Sequence, residues 1–140
     1  MKNIKFKKIL CLILCLATVA AVAFTSGCSP RENEQNVQVE ATAIGEGVRN
    51  FRLEVIGETA RAFEVSTDEE IVGKALEKLG VISGEEGPYG MFITTVDGET
   101  VDFYRDIKYW AFYIDGTYAT AGIDQTEIAD GAVYSLKVEK

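Results

Sequence analysis

A single amphipathic helix set among strand-like runs is the feature that most constrains the fold. Its apolar residues recur at helical spacing and are Ile71, Val72, Ala75, Leu76 and Leu79. Thr67 is placed as the N-cap, with Glu70 reaching back to complete a capping box, and Gly80 follows as the C-terminal stop. Because one helix cannot bury its apolar stripe alone, we expect it to cover a sheet.

Strand patterns surround this helix. Alternating apolar residues at 50–56 and again at 62–65 predict a first hairpin, and 132–138 predicts a last strand. Two Asp-Gly dipeptides, at 97–98 and 115–116, favour tight type I′ turns between strands. We therefore predict an α+β fold with a β-grasp-like mixed sheet packed on one main helix. A ferredoxin-like fold would need a second helix, and the glycine-rich segment 84–90 is predicted to be a loop.

The hairpin at 115–116 predicts an aromatic surface. Counting outward from a two-residue turn puts Tyr113 opposite Tyr118, on the same face as Thr120. Nine of the twelve aromatic residues that follow Gly27 lie between Tyr89 and Tyr118. The candidate ligand-binding residues are Tyr113, Tyr118, Thr120, Tyr109 and Tyr89. The alternative is that these rings serve the core and strand propensity, and that is the interpretation we expect for Phe92, Phe103, Trp110 and Phe112.

The amino terminus has the pattern of an export signal. Four lysines precede an apolar run at 9–24, which is short for a membrane span of roughly 20 residues and typical of a secretory signal peptide. The run ends in Ser26-Gly27-Cys28, which resembles the lipobox of bacterial lipoproteins. We predict a signal peptide at 1–27, lipidation of Cys28, a flexible tether at 28–47 and a domain at 48–140. An uncleaved anchor or ordinary signal cleavage are the alternatives.

Charge and composition exclude several functions. Removing the four lysines of 1–27 takes the net charge from −8 to −12, which argues against nucleic-acid binding. The chain has no histidine, so histidine-centred metal sites and Ser-His or Cys-His catalytic pairs are excluded. The acidic clusters at 68–70 and 85–86 are better explained by helix capping and by a solvated loop. We expect no catalytic residue, no metal and no resident cofactor.

Several motifs together resemble a known family. They are the strand Phe51-Arg52-Leu53-Glu54-Val55, the helical segment Ala75-Leu76-Glu77-Lys78-Leu79, Tyr109-Trp110, Tyr113-Ile114-Asp115-Gly116, and Asp130-Gly131 before the last strand. In this combination the chain resembles the transcobalamin-like C-terminal domain of bacterial lipoproteins. The resemblance implies a β-grasp ligand-binding module. In vertebrate transcobalamin and intrinsic factor the similar domain closes over cobalamin from one side, so cobalamin is a possible ligand.

Two functional hypotheses remain, since the third, an enzyme, would need a nucleophile and a base that we do not find in the sequence. The first is a lipid-anchored module outside the cytoplasm, held to the bacterial cell membrane through Cys28, that binds a corrinoid or another small molecule for an uptake system. The alternative is a cell-surface protein-interaction or adhesion module that uses the same tyrosine face.

Overall fold

The computed structural model describes residues 39–140, so the predicted signal peptide, Cys28 and most of the predicted tether lie outside the described residues. Among residues 39–140, none of the helices combines the length and the hydrophobicity that a membrane span requires. The elements in chain order are β1 (Ala41–Gly45), β2 (Arg49–Ile56), β3 (Ala60–Thr67), α1 (Val72–Lys78), β4 (Ile82–Gly87), β5 (Gly90–Val96), β6 (Glu99–Thr100), α2 (Phe103–Asp106), β7 (Tyr109–Ile114), β8 (Thr117–Tyr118), a 3₁₀ turn (Ile123–Gln125) and β9 (Val133–Glu139).

The larger sheet has six strands in the order β1, β3, β2, β9, β7, β8. β2 pairs antiparallel with β3 and parallel with β9, while β7 pairs antiparallel with both β9 and β8. The predicted mixed sheet is therefore confirmed. Its two central strands supply the middle of the core, since Leu53, Val55 and Leu136 are fully buried.

A second sheet of three strands, in the order β4, β5, β6, was not expected. The loop predicted at 84–90 is wrong, because most of it belongs to β4 and to the first residue of β5. Glu85 pairs with Phe92 and Gly87 with Gly90, with an irregularity between Ser83 and Gly84. β4 pairs with β5 through backbone hydrogen bonds, and most of its side chains are exposed and polar. It therefore lacks the alternating apolar pattern from which a strand can be predicted.

The main helix begins later than the sequence predicts. The capping box of Thr67 and Glu70 is wrong, because Thr67 is the last residue of β3. Ile71 then forms a β-bridge with Glu127, which holds its backbone extended, and α1 begins at the next residue without a side-chain cap. A partner distant in sequence overrides the local helix signal here.

The end of the helix follows the prediction. Gly80 has φ +70°, its amide donates to the Glu77 carbonyl over 2.9 Å, and the Val81 amide donates to the Leu76 carbonyl over 2.9 Å. These two bonds form a Schellman motif, in which glycine is favoured because of the positive φ. The buried side of α1 consists of Val72, Gly73, Ala75 and Leu76.

The sheet begins inside the segment that was expected to be a tether. β1 pairs in parallel with β3 and lies within 28–47, so the order of the domain extends upstream of residue 48. Its side chains are small and partly exposed, and Ile44 alone packs against the core. The strand is held mainly by backbone pairing, which leaves little periodicity in the sequence.

The four aromatic residues that the sequence predicts to be buried divide into two groups. Trp110 and Phe112 are buried, as predicted. The expected burial of Phe92 and Phe103 is wrong, since their exposed fractions are 40% and 41%. The strand after the first Asp-Gly turn is short because the Asp102 carboxylate caps α2, and this removes Phe103 from the sheet.

Candidate functional site

Three of the predicted tyrosines gather on one face of the larger sheet. Tyr109 and Tyr113 alternate along β7, and Tyr113 pairs with Tyr118 of β8, which is the predicted register. The rings of Tyr113 and Tyr118 meet edge to face, with centroids 5.3 Å apart. Tyr118 is the most open of the three, with an exposed fraction of 53%.

Glu139, at the end of β9, holds two of these tyrosines in place. The Tyr113 hydroxyl donates to Glu139 Oε1 in a short hydrogen bond, and the Tyr109 hydroxyl donates to Oε2 over 3.4 Å. Lys137 Nζ lies 4.6 Å from the centroid of the Tyr113 ring, within the range of a cation–π contact. No local sequence pattern indicates that Glu139 belongs to this cluster.

This arrangement keeps both hydroxyls protonated. Hydrogen bonding to the Glu139 carboxylate, followed by desolvation, raises the pKa of Tyr113 to about 12. Desolvation is the first cause that raises the pKa of Tyr109, and the neighbouring Tyr118 and Glu139 add to it. At neutral pH these phenols are hydrogen-bond donors, and they are poorly suited to act as bases or nucleophiles.

A cavity of about 270 Å³ opens beside this tyrosine face, between β5, β7, β8 and the 3₁₀ turn. Three of the predicted residues, Tyr109, Tyr118 and Thr120, line it. The remaining lining residues are Met91, Phe92, Ile93, Trp110, Phe112, Ala119, Ala121, Gly122 and Ile123. No charged side chain lines the cavity, so it suits an uncharged and partly apolar group.

Trp110 is the residue in this wall that sequence reasoning missed as a binding group. Its side chain is buried, with an exposed fraction of 5%, and its indole Nε1 has no hydrogen-bond partner among the described residues. Leaving a buried donor unpaired costs about 1–3 kcal/mol, and an acceptor that reached it would recover part of that energy. An alternating strand pattern identifies Trp110 as buried but cannot indicate whether its nitrogen is paired.

The other two predicted residues do not join the cavity. Tyr113 lies on the tyrosine face but does not line the cavity, and its hydroxyl donates to Glu139. Tyr89, at the tip of the β4–β5 hairpin, lines a separate and larger groove. Phe92 lines both the cavity and the groove.

The acidic residues near α1 have structural roles. Lys78 Nζ lies 2.8 Å from Glu69 Oε1, and the hydrogen bond from this ammonium is the main reason that the pKa of Glu69 is lowered. Glu70 lies 3.5 Å from an Arg49 nitrogen. Across residues 39–140, no group of three or more Asp, Glu, His or Cys side chains gathers in a way that could hold a metal ion.

The whole cavity lies in a segment with known relatives. Residues 69–140, just over half of the chain, match a family described as Domain of unknown function (DUF4430). The chain belongs to the DUF4430 family. The matched segment runs from before α1 to the end of β9, so every lining residue of the cavity lies in the DUF4430 domain, while β1, β2 and β3 precede the match.

Two solved structures resemble this DUF4430 protein. One is from Ruminococcus gnavus ATCC 29149 and is described as that of a proposed metal-binding protein; it is 34% identical, with a TM-score of 0.62, and the similarity covers 66% of this chain and 98% of that one. The other is haptocorrin in complex with Cbi, at 18% identity and a TM-score of 0.56, covering 66% of this chain and 25% of haptocorrin. The likeness to haptocorrin is one of fold. The sequence of this chain matches no curated protein.

Proposed function

We propose that this DUF4430 protein is a non-catalytic ligand-binding module, and that its ligand enters the cavity beside Trp110. The observation that carries the proposal is the unpaired indole N–H of Trp110 in a wall without charge. Tyr109, Tyr118 and Thr120, which carry hydroxyl groups, line the same cavity. The fitting ligand presents a hydrogen-bond acceptor on an uncharged, partly apolar group, because indole is a donor only.

The cavity limits how much of a ligand is enclosed. Ligand pockets commonly measure about 300–1,000 Å³, so a volume of about 270 Å³ encloses a small molecule or one edge of a larger molecule. A corrinoid would place a peripheral amide here and leave most of its ring outside. Haptocorrin in complex with Cbi shares the fold, which supports a corrinoid as the first ligand to test.

The strand order supports the finer assignment to the transcobalamin-like C-terminal domains. The central parallel pair of β2 and β9, flanked by the β2–β3 and β7–β8 hairpins, is the arrangement of a β-grasp sheet. The domain corresponds to a quarter of haptocorrin, so it lacks most of the surface that haptocorrin has available for its ligand. We therefore expect this domain on its own to bind a corrinoid more weakly than a site that also contacts the opposite side of the ligand.

Metal binding is not our proposal, although the Ruminococcus gnavus protein is described in those terms. The acidic side chains of residues 39–140 do not converge on one point, and the sequence contains no histidine. The donor set therefore does not fit a resident metal ion.

The proposed cellular setting follows from the amino-terminal pattern. Lipidation of Cys28 would hold the module at the outer surface of the bacterial cell membrane, where it would collect a small molecule for an uptake system. A protein-interaction or adhesion function is the second candidate. The observation that favours it is the exposure of Tyr118 on β8, the two-residue edge strand of the larger sheet.

The decisive experiment uses Trp110 as an internal reporter, because it is the only tryptophan of the chain. The full chain, purified in a non-ionic detergent, is titrated with cobinamide, cobalamin and a panel of neutral sugars, with correction for inner-filter absorption. We expect saturable quenching by a ligand that reaches the cavity, and a matching rise in melting temperature.

Matched variants decide whether such quenching reports on the cavity. Tyr118→Phe and Thr120→Val each remove one hydroxyl at the cavity and should weaken binding, whereas Tyr104→Phe alters a hydroxyl outside it and should not. A flat titration with every compound, together with a partner captured by surface crosslinking and lost in Tyr118→Ala, would replace the small-molecule proposal with the interaction module.

A further inference from the structure

A second concave surface lies on the smaller sheet. It is an open groove of about 1090 Å³ between the β4–β5 hairpin and α2. Its lining residues are Glu85, Glu86, Gly87, Pro88, Tyr89, Phe92, Thr94, Thr100, Val101, Asp102, Phe103 and Tyr104. Apart from Phe92, it shares no residue with the cavity beside Trp110, so it can act independently of the proposed function.

Four aromatic rings give the groove an unusually open apolar surface. Tyr89 and Tyr104 are each 92% exposed, and Phe92 and Phe103 are about two-fifths exposed. Three of the rings form a chain of edge-to-face contacts, with 6.4 Å between the centroids of Phe92 and Phe103 and 5.8 Å between those of Phe103 and Tyr104. Clustered apolar surface of this kind marks an interaction site more often than single exposed residues do.

All the charged side chains that line the groove are acidic. Glu85, Glu86 and Asp102 line it, and no lysine or arginine does. Glu85 and Glu86 form no ion pair within residues 39–140. An anion would therefore be repelled from the groove, and a cation would be attracted to it.

The one basic side chain of α2 does not offset this charge. Arg105 Nη2 lies 2.8 Å from Asp106 Oδ2, and this hydrogen-bonded pair lowers the pKa of Asp106. Asp102 holds the helical turn in place, because its Oδ1 accepts hydrogen bonds from the amides of Tyr104 and Arg105 over 2.9 and 3.1 Å. The aromatic rings and the carboxylates are thus positioned by the same cap.

We propose that this groove binds a small organic cation, an ammonium group carrying methyl or other apolar substituents. Aromatic faces attract such a cation through their quadrupoles and shield its apolar substituents from water. The carboxylates of Glu85, Glu86 and Asp102 add attraction that a neutral ligand of the same shape would not receive.

The test compares choline with 3,3-dimethyl-1-butanol, which has the same shape without the charge. Binding to the full chain in a non-ionic detergent is measured by calorimetry at low salt. We expect saturable binding of choline and at least about tenfold weaker binding of the alcohol, which corresponds to about 1.4 kcal/mol. Raising the salt concentration to 1 M should weaken choline binding, because exposed charges are then screened within about 3 Å.

Variants locate the binding. Tyr104→Ala should weaken choline binding about two- to fivefold, while Tyr104→Phe keeps the ring and should retain it. The double variant Glu85→Gln/Glu86→Gln should lower the affinity and flatten its salt dependence. Tyr118→Ala changes a residue of the cavity beside Trp110. It should leave choline binding in the groove unchanged, even though it should weaken binding of the proposed ligand in that cavity.

Three results would overturn the proposal. They are an absence of saturable choline binding, equal affinity for the neutral alcohol, and choline binding that survives both Tyr104→Ala and the double glutamine variant. Tyr104, Glu85 and Glu86 are exposed, so their variants should unfold at the temperature of the parent protein, and this control separates loss of binding from loss of folding.

Discussion

Replacing Tyr134 with phenylalanine removes one buried hydroxyl and leaves the ring in place. The ring is fully enclosed, in edge-to-face contact with Phe51 at 5.2 Å and stacked on Phe112 at 5.9 Å. Its hydroxyl accepts the amide of Ala129 over 2.9 Å and donates to the carbonyl of Glu127 over 3.2 Å. These two bonds fix the segment that precedes β9 and that also bridges to the start of α1.

The expected loss of stability follows from those two bonds. A typical intramolecular hydrogen bond contributes about 0.5–1.5 kcal/mol net, and the longer of the two contributes less. Residues 127 and 129 are exposed, so water can satisfy part of what the hydroxyl leaves behind. We therefore expect Tyr134→Phe to lower the free energy of unfolding by about 1–2 kcal/mol. Tyr134→Ala, which also removes the ring, should lower it by about 3–5 kcal/mol.

Urea unfolding followed by Trp110 fluorescence measures both effects. With a slope of about 1–3 kcal/mol/M, the Tyr134→Phe variant should unfold at a urea concentration lower by about 1 M. Tyr104→Phe is the matched control, because its hydroxyl is on a side chain that is 92% exposed. Equal midpoints for the two phenylalanine variants would refute the reasoning that this hydroxyl secures the segment before β9.

The cavity, the tyrosine pair, the first strand and the amino terminus each give a further test. Gly122→Ala adds a methyl group to a lining residue of the cavity and forces the Asp124 carboxylate, 2.5 Å from the new Cβ, to move, so ligand quenching of Trp110 should weaken about tenfold; unchanged quenching would argue against binding beside Gly122. Spectrophotometric titration should give Tyr113 a pKa of about 12, falling towards 10 in Glu139→Gln. Because the folded-state pKa of Tyr113 lies above its unfolded value, its contribution to stability is complete below about pH 10 and is lost as the pH rises to about 12. Ionisation of Tyr113 near pH 10 in the parent protein would contradict the bond to Glu139. Deleting 39–47 removes β1 and the packing of Ile44, and should cost about 1–3 kcal/mol of unfolding free energy; an unchanged urea midpoint would mean that the domain begins later. Cys28→Ser should abolish incorporation of a labelled fatty acid, and a parent chain that takes up no label would exclude the proposed anchor.

The local parts of the fold were predictable from the sequence. Both Asp-Gly turns have positive φ at both residues, for example 47° at Asp115 and 80° at Gly116, and the first strand pairs beyond them have the predicted register. Gly80 ends the helix as expected. In each case the decisive interaction joins residues that are neighbours in the chain, so composition and spacing carry the information.

The parts that depend on distant partners were not predictable. The start of α1 is set by the bridge between Ile71 and Glu127, which no local pattern reveals. The strand Ala41–Gly45 depends on the backbone of β3, and the end of β6 depends on the competing cap from Asp102. Phe103 consequently leaves the predicted core.

The candidate site divides in the same way. Tyr109, Tyr118 and Thr120, which the sequence predicts to lie near one another, line one cavity. Their proximity could be predicted because the β7–β8 hairpin determines the strand register and the alternation of side chains. Tyr113 is tied to Glu139 instead, and Tyr89 lines the groove. The unpaired nitrogen of Trp110 is a property of packing in three dimensions, and no spacing of residues encodes it.

The position of β9 makes the larger sheet depend on contacts between distant parts of the chain. β9 lies between β2 and β7 in the middle of the sheet, although its residue Ser135 is 81 positions away in sequence from Glu54 of β2. Pairing of such distant segments requires a long loop to close first, so we expect this sheet to fold more slowly than a sheet built only of hairpins. Truncation before residue 133 would remove this central strand and with it Glu139, the anchor of the two tyrosine hydroxyls.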